Sequence, residues 1–449
     1  PLDYRIVVSP FILIVRFIAM PKTHCPLRNR RLGVALLTAI SFSASFITAN
    51  SYAAEVVIPE SVGMSSAALN SATERLQRHI DEGDIAGVVA AVARDGKLVY
   101  QVALGNLNKE NGLAMREDAL FRIYSMSREI TSVAALRLYE QGAFEFDDPV
   151  AKYLPEFSDQ RVLLDSESTD LGATRPRVGE MTIAHLLTHT SGLGSRSSAL
   201  YRENNVRDRA QSLDAMVTKA ARVPLFQDPG TEFRYGIHAT IVGKLIEVWS
   251  GQSFEDYLQQ NLLAPLGMSS TLFWADGEDA NRLAQLYRPD NGELRPYAIE
   301  SVPWTQKPEL IEGGVGLLSS VPDFLRFSQM ILDRGKIPGS DERVLSETTA
   351  ALIYENAVPE AAMPIGDSRY WLGSGWSLGG FNVVLDPATY DYPVSKGTIW
   401  WDGSAGTRFF IDPVEGTVIV IMAQVSPSNG GGFRENFSRL VDAAIVERR

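Results

Sequence analysis

Cysteine is almost absent: the 449 residues hold one, Cys25, and it lies ahead of the apolar run near the N-terminus, whereas a lipidated bacterial cysteine would follow it. Beyond residue 53 there is no thiol, which excludes disulfides, a cysteine nucleophile and cysteine metal sites there and suits an oxidising compartment. Basic charge is short as well, with 42 Lys and Arg against 54 Asp and Glu. Residues 1–53 carry six of the basic and one of the acidic side chains, so the remainder has a net charge of about −17 and no basic run. That balance disfavours a nucleic-acid partner. Ahead of Met20 a long hydrophobic span is missing too. The run Ile6 to Ala19 is about 14 residues and is interrupted by Arg16, short of the roughly 20 that cross a bilayer, so no stable membrane anchor is expected. No internal repeat or low-complexity tract is present.

What remains is the composition of a soluble globular protein with a large core: 45% hydrophobic, 9% aromatic and 21% charged. From Met20 a basic stretch ends at Arg31, an apolar run follows from Leu32 to about Ala49, and small residues surround Ser51-Tyr52-Ala53-Ala54. This is the layout of a secretory signal peptide. Export to a periplasm or the exterior is expected, with residues 1–53 an upstream extension plus leader and 54–449 a single domain.

Helical spacing of Leu69, Ala72, Leu76 and Ile80 predicts a helix over Ser66–Glu82. Apolar runs Gly87–Val92 and Lys97–Leu104 across Asp95-Gly96 predict a hairpin. A second strand pair is expected at Thr398–Ile411 and Thr417–Val425, and a closing helix at Phe433–Val446. Further helices are predicted at Ser125–Gln141, Ile183–Thr188, Leu213–Ala221, His238–Trp249, Phe254–Leu263 and Pro322–Arg334. Strands at both ends around a helical middle imply an α+β fold with one antiparallel sheet made from both ends of the chain. Long loops are expected at 275–312 and 356–398, whose Trp304, Tyr370, Trp371, Tyr390 and Tyr392 could line an apolar cleft.

In Phe121-Arg-Ile-Tyr-Ser125-Met-Ser-Arg128-Glu-Ile-Thr131 a serine stands at the start of a helix, where the field favours an alkoxide and a backbone N–H can meet an oxyanion. Arg128 follows one turn later on the same face. Two further segments matter: Asp228-Pro-Gly-Thr-Glu-Phe-Arg-Tyr235, a turn leading to a tyrosine before an apolar helix, and Trp400-Trp401-Asp-Gly403-Ser404, a strand whose glycine permits close backbone approach.

In order and spacing these segments resemble the serine β-lactamase and penicillin-binding superfamily, most closely class C β-lactamases and family VIII carboxylesterases. Thr182-Ile-Ala-His-Leu-Leu-Thr-His-Thr-Ser-Gly-Leu193 and Gly313-Gly-Val-Gly-Leu-Leu-Ser-Ser-Val-Pro-Asp323 resemble two more of its segments. The resemblance implies a sheet flanked by N- and C-terminal helices, an inserted all-helical subdomain at roughly 140–310, and a site between them. It implies that Ser125 is acylated, that Tyr235 relays its proton, and that Trp401-Asp402-Gly403 is the strand motif that β-lactamases begin with lysine. Backbone N–H groups of Ser125 and Ser404 would form the oxyanion hole. No cofactor or metal is implied.

Position 128 departs from that pattern, since the superfamily has lysine there. Arginine stays protonated at physiological pH; it can stabilise a tyrosinate at Tyr235 or an alkoxide at Ser125 but cannot be the base. Ile237 replaces an asparagine that contacts a lactam side chain, and Trp401 replaces the lysine that would meet a β-lactam carboxylate, so weak or no β-lactamase or D-alanyl peptidase activity is expected. The expected function is an exported serine esterase acting on short-chain esters or small amides. The alternative, motivated by Arg128, is a penicillin-binding-like binding or regulatory protein with impaired turnover. His185 and His189, one helical turn apart, lack a third ligand spaced nearby and read as fold rather than metal, and His238 either faces the cleft or caps its helix.

Overall fold

Ser65 accepts a hydrogen bond from the Ala68 N–H and opens helix α1, Ser66–Asp81, whose Leu69, Ala72 and Leu76 are buried. The computed structural model describes residues 55–449 apart from Arg369 and Asn429; the leader expected within residues 1–53 lies outside the described residues. Strands β1, Gly87–Arg94, and β2, Lys97–Asn108, form the predicted hairpin. Asp95 and Gly96 both take positive φ, 53° and 76°, which a tight two-residue hairpin turn requires. A short edge strand, β3 (Leu113–Ala114), follows.

The C-terminal end supplies β4 (Ser374–Trp376), β5 (Asn382–Val384), β6 (Ile399–Gly403), β7 (Thr407–Asp412) and β8 (Thr417–Ala423). The sheet order is β4-β5-β6-β7-β8-β1-β2-β3, antiparallel throughout. Its centre joins the two ends of the domain, with Val88 opposite Ala423 and Arg94 opposite Thr417.

Two expectations are corrected here. The single strand expected over Thr398–Ile411 is two strands separated by a turn in which Gly406 has φ 91°; apolar residues on both sides of that turn hid it from a pattern reading. The long loops are not structureless. One contains the ribbon Tyr287–Asp290 with Glu293–Pro296, and the other contributes the edge strand β4 and its neighbour β5.

Four further helices carry the rest of the argument: α2 (Ser127–Glu140), α3 (His238–Ser250), α4 (Val321–Leu332) and α5 (Phe433–Ala443). Side chains alternate across the sheet. Val88, Ala90, Val92, Trp400 and Ile421 pack with Leu76 of α1 and Phe437 of α5. Val89, Ala91, Trp401, Phe409 and Val420 pack with Val133 of α2 and Phe324 of α4. Burying each Val or Ile side chain contributes roughly 1.5–3 kcal/mol, and β1 is buried along its whole length.

Residues 140–310 hold short helices at Ile183–Leu187, Ala199–Glu203, Leu213–Arg222 and Phe254–Leu258 as well as α3, together with two small ribbons. Among the described residues no helix is long and apolar enough to cross a membrane.

Candidate active site

Ser125 lies in the 3-10 turn Tyr124–Met126 directly ahead of α2. The residue before it is in the left-handed region, Tyr124 with φ 43°, a conformation that costs a non-glycine residue energy and persists only where packing enforces it. Tyr124 is fully buried, and Trp304 meets its ring edge-on at 5.7 Å.

Tyr235 comes from the turn before α3 and is half-buried in a wall of rings: His189 at 4.7 Å, Trp401 at 5.1 Å and Trp376 at 5.7 Å between centroids. Its hydroxyl accepts a hydrogen bond from Trp401 Nε1 at 2.9 Å, and the Ser125 hydroxyl is close enough to bear on the phenol's ionisation. The Arg128 guanidinium lies 4.3 Å above the Tyr235 ring and donates through Nη1 to the Gly236 carbonyl at 2.6 Å. Arg128 therefore faces the ring rather than the phenol oxygen, and its buried Nε has no hydrogen-bond partner.

Burial is the largest influence on the Tyr235 phenol and pushes its pKa up; the Arg128 charge and the Ser125 and Trp401 hydrogen bonds pull it down, and Glu129 pushes it up again. The net direction is upward. The Arg128 charge favours the tyrosinate, and desolvation outweighs it.

Strand β6 brings the remaining expected residues in. Gly403 packs so closely that a Cβ there would collide with the Ile123 carbonyl and Thr407 Oγ1, which sets the strand against the chain two residues ahead of Ser125. Ser404 follows, exposed in the β6–β7 turn. Arg128, Tyr235 and Trp401 are thus in direct contact beside Ser125, with Gly403 and Ser404 alongside.

Of the five loop aromatics, Trp371 and Tyr370 pack on Trp401 at 5.4 and 5.8 Å, and the Tyr370 hydroxyl donates to Asp402 at 2.9 Å. Tyr390 and Tyr392 do not join them. They lie on the opposite face of the sheet with Trp400 and Phe410, because adjacent strand residues point to opposite sides.

The histidines divide as well. His185 Nδ1 accepts from the Thr182 N–H at 3.2 Å and closes a capping box. His189 instead meets His238 with their Nδ1 atoms 2.9 Å apart, and both are buried. Burial, with the Arg128 charge second, brings the His238 pKa down to about 3, so it is neutral at physiological pH.

Sequence reasoning missed Trp376 and His189 as parts of the Tyr235 wall, and it missed Glu129. That carboxyl is fully buried and neither oxygen has a hydrogen-bond partner. Burial raises its pKa well above the usual carboxylate range, with Arg128 opposing. A glutamate in an otherwise apolar, fully buried helix stretch was the available signal.

The beta-lactamase family model matches residues 72–444. The chain belongs to that family. It is similar to esterase EstB of Burkholderia gladioli, 29% identical over 377 residues, covering 77% of this chain and 87% of that protein. It is also similar to monacolin J acid methylbutanoyltransferase of Aspergillus terreus, 28% identical over 335 residues, covering 70% of this chain and 79% of the transferase. The solved structure of EstCE1, a hydrolase with promiscuous acyltransferase activity, matches with a TM-score of 0.71 at 26% identity, over 85% of this chain and 98% of EstCE1. The expected superfamily and its mixed fold are those observed, and family members similar to this chain include hydrolases and acyltransferases.

Proposed function

We propose that this protein is an exported serine esterase that forms an acyl-enzyme on Ser125 and acts on short-chain esters or small amides. The observation that carries this reading is the hydrogen bond from Trp401 Nε1 to the Tyr235 hydroxyl beside Ser125, closed on its other side by the Arg128 guanidinium over the ring. Arg128 cannot take a proton and the Tyr235 phenol favours its neutral form, so Tyr235 acts as a shuttle. As Ser125 Oγ bonds to the ester carbonyl carbon, its proton passes to the phenol oxygen while the phenol's own proton passes to the leaving alcohol oxygen. Arg128 stabilises negative charge on the phenol during the transfer. The backbone N–H groups of Ser125 and Ser404 meet the carbonyl oxygen. Water, or an alcohol acceptor, then takes the acyl group.

An ester suits the site better than a β-lactam, since Trp401 and Ile237 stand where fixed polar contacts to the antibiotic would be. The test is p-nitrophenyl butyrate hydrolysis by wild type, Ser125→Ala and Arg128→Lys. Serine-dependent turnover by the wild type supports the esterase; a wild type inactive towards a panel of esters contradicts it. The neutral-favouring phenol beside a non-basic Arg128 favours one second reading, a penicillin-binding-like binding protein. That reading calls for a silent wild type whose thermal midpoint rises with a peptidoglycan fragment.

A further inference from the structure

Next to the nucleophile's neighbour Tyr124 lies a cavity of about 370 Å³ whose walls include Arg122, Tyr124, Tyr297, Glu300 and Trp304. Four arginines gather around it. Arg196 lies over the Tyr124 ring at 5.6 Å, and Arg209 lies over the Trp304 ring at 3.9 Å. Glu300 is held by Arg196 at 3.2 Å and Arg207 at 2.7 Å, and Arg207 also pairs with Glu312. Two carboxylates therefore answer four guanidinium groups. Among the described residues, neither Arg122 nor Arg209 has a carboxylate within ion-pairing distance, so the cluster keeps a surplus of positive charge even with Asp208 beside Arg207, in a protein that is otherwise strongly acidic.

The hydrogen-bond inventory points the same way. The Tyr124 hydroxyl, Trp304 Nε1, and Arg209 Nε and Nη2 are buried without a hydrogen-bond partner. Each of these atoms can donate and three of them can only donate. Unpartnered buried donors are costly, and an acceptor would relieve them. Arg122 spends Nη1 on the Ala284 carbonyl at 2.7 Å and Gln424 Oε1 at 3.1 Å. Burial, with the Arg209 charge among the causes, lowers the Arg122 pKa to about 10, so it remains a cation at neutral pH.

We propose that this cavity docks a carboxylate carried by the substrate, with Arg122 as its charged partner and Tyr124 and Trp304 as neutral donors. The inference rests on Ser125 as the reacting residue and refines the substrate class. The ester reacts at Ser125 against the uncharged wall of Tyr235, Trp371 and Trp401, while an acid group elsewhere on the same molecule extends past Tyr124. Glu300 does not repel it, because its oxygens are already taken by two arginines.

The test is calorimetric binding of hexanoate, hexanamide and inorganic phosphate to the wild-type protein and to Arg122→Gln, Arg122→Lys and Trp304→Phe, each first shown to unfold at a wild-type temperature. Hexanoate binds and the isosteric amide does not; Arg122→Gln weakens hexanoate at least about tenfold, Arg122→Lys restores most of it, and Trp304→Phe weakens it while keeping the ring. Equal binding of acid and amide, undiminished binding by both Arg122→Gln and Trp304→Phe, or phosphate binding as tight as hexanoate would overturn the proposal. Binding needs no turnover, so failure here is separable from failure of Ser125 as nucleophile.

Discussion

Trp401 Nε1 and the Tyr235 hydroxyl are joined by a hydrogen bond of 2.9 Å, which makes a strand residue the fixed donor to the phenol that faces Ser125. A tryptophan N–H can only donate. The phenol oxygen accepts from it, and the phenol proton stays free for transfer.

Trp401→Phe removes that donor and keeps most of the ring packing against Trp371 and Trp376. The expected outcome is a fall in kcat of about tenfold, the effect of losing one hydrogen bond of roughly 1.4 kcal/mol in the transition state, with KM little changed. Steady-state kinetics on p-nitrophenyl butyrate checks it; a change confined to KM would assign Trp401 to substrate binding instead.

Glu129 sets a pH dependence of stability. Its carboxyl is raised well above the ordinary range by burial, whereas in the unfolded chain it ionises near about 4.3. Between those two values the folded state holds the proton that the unfolded state has lost, so stability falls as pH rises through the window. Glu129→Gln should raise stability by about 1–3 kcal/mol at pH 8, with the gain disappearing near pH 4. Thermal unfolding at the two pH values measures it, and an equal difference at both would contradict the assignment.

Gly403→Ala should damage both fold and activity. Its Cβ would meet the Ile123 carbonyl and Thr407 Oγ1, and backbone on one side cannot rotate away as a side chain could. A loss of about 1–3 kcal/mol in denaturant unfolding is expected, together with displacement of Ser404 and loss of hydrolysis.

Much of this arrangement is readable from the chain. The hairpin at Asp95-Gly96 follows from two positive-φ positions, and the meeting of the two chain ends in one sheet follows from strands flanking helices. Ser125, Arg128, Tyr235 and Trp401 stand out from local motifs, and the fold brings them to one place. What local pattern could not supply is direction across the sheet at the loops: Tyr390 and Trp371 look alike in sequence, yet one packs with Trp400 and the other with Trp401. Nor does a pattern tell a buried polar residue from a solvated one. Glu129 and Arg209 are charged side chains that the fold encloses, because tertiary packing overrides the polarity of a single residue.

The central claim, that Ser125 is the acylated residue, is tested most directly by intact-mass measurement of fluorophosphonate labelling. The account predicts a single adduct on the wild type, mapped to Ser125, and none on Ser125→Ala; unchanged labelling of that variant would contradict it.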